Sequence, residues 1–306
     1  MAVFSQNSKN LMEAFCQHGI LQLPDDTYGR ESIDRWNSAL DPLFAAHVAD
    51  EKVYVSLEKL YELNIFQEML TAPIRSLLVA LMPDVVLHSL SSLEIAANNP
   101  RPHLGGGNAF EGWHNDVDVN MGLDWTKPHY GGLMIYLDDV EEDDAPFELI
   151  PRTASEFVRD DHESVKVVGK KGTAFIFNKL MCHRPNCNLS KSKRRRIINF
   201  QFQNNYLQNN LLQTDSMSKL QDLAAKDYPD DDFFHYLLGK MHKNTSKFPV
   251  HNSYLKPSWE FVDMEANEWV KLSWSKIIIN KVILKSFGLP RKVMRGKEKS
   301  RYTLVR

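Results

Sequence analysis

The stretch Trp113-His114-Asn115-Asp116 decides how the rest of the chain is read. In an extended strand, side chains two residues apart project to the same face. His114 and Asp116 can therefore aim an imidazole nitrogen and a carboxylate oxygen at one point in space. One distant histidine added to that pair gives a two-histidine, one-carboxylate set. Such a set grips one face of a metal ion and leaves three positions open for small ligands, dioxygen included.

Working outward, residues 85 to 204 break into short apolar runs separated by Gly, Pro, Asp and Asn. Val85 to Leu87, Leu90 to Ala96, Leu133 to Leu137, Phe147 to Ile150, Val165 to Val168, Thr173 to Phe177 and Ile197 to Phe202 all read as strands. Many short strands of even spacing predict a β-sandwich or jelly roll, the architecture of cupins. Residues 5 to 82 read as mostly helical. Helical periods run through Leu11, Ala14, Phe15 and the residues near Ile20, through Ile33, Trp36, Leu40 and Leu43, and from Ile65 to Leu81 before Pro83. Helical patterning returns at Leu220, Leu223 and Ala224 and again at Phe233 to Leu237. The expected fold is α+β, a jelly-roll, cupin-like core covered by helices before and after it.

Composition narrows the class. A chain of 306 residues, 43% hydrophobic, can bury a full core. The net charge of −2 argues for no nucleic-acid partner, but it is unevenly spread. From Lys271 to Arg306 there are eleven Lys and Arg against the single acid Glu298, so that end carries about +10 and the rest about −12. The expected organisation is one large domain over 1–268 and a basic amphipathic tail over 269–306. Three cysteines, Cys16, Cys182 and Cys187, do not make a disulfide framework and suggest a reducing cytoplasm. No signal-peptide pattern opens the chain, and no apolar run nears the ~20 residues of a membrane span.

The order of features after His114 is what gives the pair its meaning. Tyr130-Gly131-Gly132-Leu133, Tyr136-Leu137-Asp138-Asp139, Phe147-Glu148-Leu149-Ile150-Pro151 and Gly172-Thr173-Ala174-Phe175-Ile176-Phe177 lead to His183, Asn188 and Arg194. Over residues 85–204 this succession resembles the phytanoyl-CoA dioxygenase-like branch of the iron(II)/2-oxoglutarate oxygenases. The resemblance implies iron ligands at His114, Asp116 and His183, and a 2-oxoglutarate carboxylate partner at Arg194, eleven residues past the distal histidine. It also implies a double-stranded β-helix with helical cover, and it places Asn188, counted among the cosubstrate-binding residues, where the family often has Asn and where it could help order that loop; Thr173 or Asn108 could add a cosubstrate contact. The implied cofactors are Fe(II), 2-oxoglutarate and O2, and the implied reaction is hydroxylation of a C–H bond. Asp116 fills the place that halogenating relatives leave free for chloride. The chain departs from the family at Pro151-Arg152-Thr153-Ala154 and at Pro185, two residues past His183.

Other assignments compete. Asp118 shares a face with Asp116. His103, His129 and His162 are rivals to His183, but His162 sits in an acidic loop and His129 lies close to His114 in sequence. Cys182 and Cys187 flank His183 without the second close-set pair that structural zinc requires. In the run Lys191 to Arg196, alternation into Ile198, Phe200 and Phe202 puts Arg194 and Arg196 on one strand face and Arg195 on the other. Arg196 is then the alternative carboxylate partner.

Residues 269–306 mix Trp, Ile and Leu with Lys and Arg, the composition of a helix lying in a membrane interface. Docking on anionic lipid is one expectation and packing on the acidic body is the other. Lipid docking would suit a lipid-linked anionic saccharide as substrate. An oxygenase type of that profile hydroxylates the Kdo sugar of lipopolysaccharide precursors, which would put this chain on the inner membrane face. A soluble small-molecule metabolite is the alternative substrate, and a non-catalytic cupin-like binding module the alternative role. Aromatics are sparse beyond Phe287 and no recognition motif accompanies the charge, which disfavours nucleic acid.

Overall fold

The computed structural model describes residues 8–50, 52–82, 84–99, 113, 114, 116, 126–151, 163–204 and 214–239, and the strand segments 260–263, 268–271 and 302–305. The chain opens with α1 (Ser8–His18), β1 (Ile20–Gln22), α2 (Arg30–Ala45) and β2 (Lys52–Val55), followed by α3 (Leu57–Glu62), α4 (Ile65–Met69) and α5 (Ala72–Leu81). The period from Ile65 to Leu81 is thus two helices. Thr71 stands at the N-cap of the second, with Pro73 in its first turn, where a missing N–H costs nothing.

Seven strands follow: β3 (Val85–Ile95), β4 (Tyr130–Tyr136), β5 (Phe147–Leu149), β6 (Val165–Val167), β7 (Ala174–Asn178), β8 (His183–Pro185) and β9 (Arg195–Asn204). Then come α6 (Thr214–Asp227), α7 (Asp232–Leu237), β10 (Glu260–Asp263), β11 (Glu268–Lys271) and β12 (Tyr302–Val305). The large sheet has the order β1-β7-β4-β9-β3-β2-β12, and the small one β6-β5-β8. Among the described residues, β10 and β11 form a separate two-stranded sheet. This is the α+β jelly roll expected from the strand spacing. β11 crosses the boundary expected at 268/269, and β12 pairs in parallel with β2 on the large sheet.

The large sheet separates two cores. Leu133 and Ile135 of β4, Ile176 of β7, and Ile198, Phe200 and Phe202 of β9 meet a helical layer that includes Ile33, Trp36, Phe66, Leu77 and Phe234. The opposite face, with Tyr130, Met134, Tyr136, Phe175, Phe177 and Ile197, packs against Phe147 and Leu149 of the small sheet. In β4, Gly131 and Gly132 make this packing possible. A Cβ on Gly131 would stand 2.3 Å from Phe202, and one on Gly132 2.3 Å from Phe177.

The two runs at Val85 to Leu87 and Leu90 to Ala96 form a single strand interrupted by a bulge between Leu87 and Ser89. The extra residue reverses the alternation. Val85, Leu87 and Leu90 therefore face the helices, while Leu93 and Ile95 face the small sheet. Among the described residues, no helix is long and apolar enough to cross a membrane.

Candidate metal centre and cosubstrate pocket

His114 and His183 are cross-strand partners. His114 N–H donates to the His183 carbonyl at 3.1 Å, and His183 N–H donates back at 2.9 Å. Two opposed residues of an antiparallel pair project to the same side, so both imidazoles enter the space between the sheets. Their ring centroids lie 4.5 Å apart. Asp116 N–H donates to the Lys179 carbonyl at 3.3 Å, which turns the carboxylate to the same point. Its Oδ1 is 3.8 Å from His114 Nε2, and its Oδ2 is 3.3 Å from His183 Nε2. One ligand atom from each of the three residues falls within 4.8 Å of the others.

The tautomer of His183 is fixed from behind. Its Nδ1 donates to the Met181 carbonyl at 2.8 Å, which leaves the Nε2 lone pair facing Asp116. Phe147 stacks on this ring at 5.6 Å and Phe177 tilts against it at 5.3 Å. Burial alone pushes the Asp116 carboxyl up, but the Lys179 ammonium, at 3.1 Å, and the two histidines outweigh it and hold it well below the usual range.

On the far side of the strands, a buckle fastens the His114 segment. Trp113, next to His114, lies under the Arg184 guanidinium at 4.4 Å, and Arg184 is next to His183. Arg184 Nε donates to Glu148 at 2.9 Å, and Glu148, 3% exposed, also accepts from Asn186 and Ser164.

The ligands open into a cavity of about 90 Å³ whose lining includes Leu93, Met134, Phe147, Phe177, Pro185 and Ile197. Arg195, Asn199 and Gln201 of β9 line it too. Arg195 is 1% exposed, and among the described residues its Nε and Nη1 have no hydrogen-bond partner. Nη2 reaches Met134 Sδ at 3.5 Å, and the guanidinium stands beside Tyr136, 5.4 Å from its ring centroid. Burial pushes its pKa below the ordinary arginine value. Asn199 Oδ1 is likewise buried and unpartnered.

Of the residues expected at this site, His114, Asp116 and His183 come together. Arg194, Asn188 and Thr173 do not. Arg194 points to the helix side, where Nε bonds Glu94 and its terminal nitrogens donate to the carbonyls of Val48 at 3.0 Å and Asp50 at 3.1 Å. Arg196, the alternative, bonds the same Glu94 at 2.5 Å and also Asp41. The parity was right and the face was wrong: the apolar side of β9 looks at the helices, and its polar side lines the cavity.

Asn188 spends its amide on the carbonyls of Ala96 and Lys193, at 2.9 and 3.0 Å, and so orders the loop before β9. Thr173 belongs to the turn into β7, with its backbone bonded to Lys170 and Tyr136. Asp118, His103, His162, Asn108 and residues 152–154 lie outside the described residues. His129 is buried away from the ligand cluster, and all three cysteines are free thiols. Sequence reasoning passed over Lys179 altogether, although a lone cation between Phe177 and Leu180-Met181 was the available signal.

A search of curated proteins found no match. Among solved structures, the fold is similar to the non-heme alpha ketoglutarate dependent epimerase SnoN from nogalamycin biosynthesis. The identity is 14% and the TM-score 0.50, covering 65% of this chain and 84% of that one. It is also similar to iron-bound HygX from Streptomyces hygroscopicus, at 12% identity and TM-score 0.50, covering 65% and 86%. The phytanoyl-CoA dioxygenase (PhyH) family matches residues 25–197, more than half of the 306. The donor set suits iron(II), and an unpaired buried guanidinium beside it suits a dicarboxylic cosubstrate. This chain therefore belongs to the phytanoyl-CoA dioxygenase family of 2-oxoglutarate-dependent dioxygenases, with iron and 2-oxoglutarate as its cofactors.

Proposed function

We propose that this protein hydroxylates an unactivated C–H bond of a small soluble metabolite, with Arg195 rather than Arg194 holding the far carboxylate of 2-oxoglutarate. The observation that carries the reading is the ligand cluster of His114, Asp116 and His183 opening on a pocket with an orphaned guanidinium. When bound, the metal and cosubstrate supply the oxidation, in which 2-oxoglutarate and dioxygen give succinate and carbon dioxide while a substrate C–H becomes C–OH.

The chain's own residues do the rest. His114, Asp116 and His183 hold one face of the metal. Arg195 offers a planar fork that matches a carboxylate with two parallel bonds. Leu93, Phe147, Phe177 and Ile197 keep water from the reacting centre. Asn199 Oδ1 supplies an acceptor on the same wall. The similar fold of SnoN, an epimerase from nogalamycin biosynthesis, supports a small-molecule substrate class.

A lipid-linked saccharide, the Kdo unit included, is the second reading, and it draws on the charge of residues 271–306. Most of that segment lies outside the described residues, while β12 returns to β2 of the oxygenase body. We therefore take 1–268 as the oxygenase body and 269–306 as a basic segment that completes β11 and adds β12 to the large sheet.

Succinate formation from 2-oxoglutarate with Fe(II) and oxygen tests the oxygenase reading, and its absence would favour a non-catalytic cupin-like module. Partition of the full chain onto anionic vesicles tests the second reading, and retention in the supernatant favours the soluble metabolite.

A further inference from the structure

Lys179 is 3% exposed, and its ammonium lies 3.1 Å from Asp116 Oδ2. It also donates to Gln201 Oε1 at 2.6 Å and stands 5.7 Å from the Tyr130 ring centroid. Its backbone carbonyl accepts the Asp116 N–H, so one residue grips the aspartate at both main chain and side chain. An ammonium so placed opposes a divalent cation through its charge, so it needs a reason to be there.

The coordination supplies one. A carboxylate that chelates with both oxygens takes a further metal position, and the facial arrangement works only while its other positions stay open. We propose that Lys179 is a positioning residue for the metal centre: its ammonium, ion-paired with one oxygen of Asp116, holds that oxygen, so that the carboxylate binds the metal through the other alone. The proposal rests on the assignment of His114, Asp116 and His183 as metal ligands.

The test is Mn(II) titration of cosubstrate-free protein by calorimetry, which needs no turnover. Lys179→Met removes the ammonium, and Lys179→Arg keeps a cation. The expected result is that Lys179→Met weakens Mn(II) binding by about 10–100-fold, as loss of an outer partner to a metal ligand does, while Lys179→Arg recovers most of it. If Lys179→Met binds Mn(II) as tightly as wild type or more tightly, the proposal is overturned. If Lys179→Arg falls as far as Lys179→Met, a cation paired with Asp116 is not what sets the affinity, which also overturns it. Should Lys179→Met lack a cooperative melt, a crystal structure of the Mn(II)-loaded wild type decides. One Asp116 oxygen on the metal and the other on Nζ supports the proposal, and both oxygens on the metal overturns it. A wild-type chain that binds no divalent cation at all would instead sink the metal site itself.

Discussion

Replacing Arg195 by methionine separates two roles that neighbouring arginines could have played. The Arg195 guanidinium is sealed from solvent, with Nε and Nη1 unpaired. Two charge-assisted bonds to a cosubstrate carboxylate, each worth about 1.5–3 kcal/mol, sum to about 3–6 kcal/mol. At 1.4 kcal/mol per decade, Arg195→Met should weaken 2-oxoglutarate binding by roughly 10²–10⁴-fold. In cosubstrate-free protein the sign reverses. A buried charge without a partner opposes folding, and methionine fills similar length beside Met134 and Tyr136. Exchanges of buried ionic groups for apolar ones stabilise by about 1–4 kcal/mol, so the free variant should melt higher than wild type.

Arg194→Met should do the opposite. It removes bonds to Glu94 and to the Val48 and Asp50 carbonyls, costing about 1–3 kcal/mol of stability while leaving cosubstrate affinity intact. Anaerobic calorimetry with Mn(II) and 2-oxoglutarate, paired with thermal melts without cosubstrate, reads both numbers. If Arg194→Met loses 2-oxoglutarate and Arg195→Met keeps it, the face assignment of β9 is wrong.

Further outcomes follow from the same packing. Glu148→Ala should destabilise the fold by about 3–5 kcal/mol in denaturant titration, because it strips Arg184 of its buried partner, and should weaken metal binding by loosening Trp113. Phe200→Ala, between the large sheet and Phe66, should cost about 3–5 kcal/mol with little change in metal affinity. Burial pushes the Cys182 thiol up to about 12, so at pH 8 a thiol reagent should label Cys16 and Cys187 and reach Cys182 only on unfolding. Burial raises the Glu68 carboxyl, but Arg35 and Trp36 outweigh it and lower its pKa. Its ion pair therefore stabilises above the unfolded carboxyl value of about 4.3, and that contribution is lost as pH falls through the lower folded value. The stability gap between wild type and Glu68→Gln should be present at neutral pH and vanish on acidification in urea melts.

The metal ligands were legible because a strand makes His-x-Asp a directional statement: two residues apart means one face. Arg195 was not, since counting eleven residues from His183 assumes a fixed loop length, and here the cavity-facing arginine comes one residue later. The composition of β9 held the better signal. Ile198, Phe200 and Phe202 are too apolar to line a polar site, whereas Asn199 and Gln201 share the parity of Arg195. The bulge at Leu87/Ser89 made one long strand read as two, because each half alternates correctly but out of phase with the other. β1 was missed because the residues near Ile20 read as the continuation of a helical period, and β2 and β8 because three or four residues with a charged one among them carry little pattern of their own; neighbouring strands define all three.

The mutual backbone pairing of His114 and His183 has a consequence for how such a protein diversifies. The distance between the two imidazoles is set by sheet hydrogen bonds and owes nothing to the length of chain that joins them. Lengthening a connection costs only a slowly growing closure entropy, about 0.6 kcal/mol per doubling. Changes of length in the connections between β4 and β5 or between β6 and β7, which lie on the path from His114 to His183, can thus be absorbed without moving the two imidazoles relative to each other.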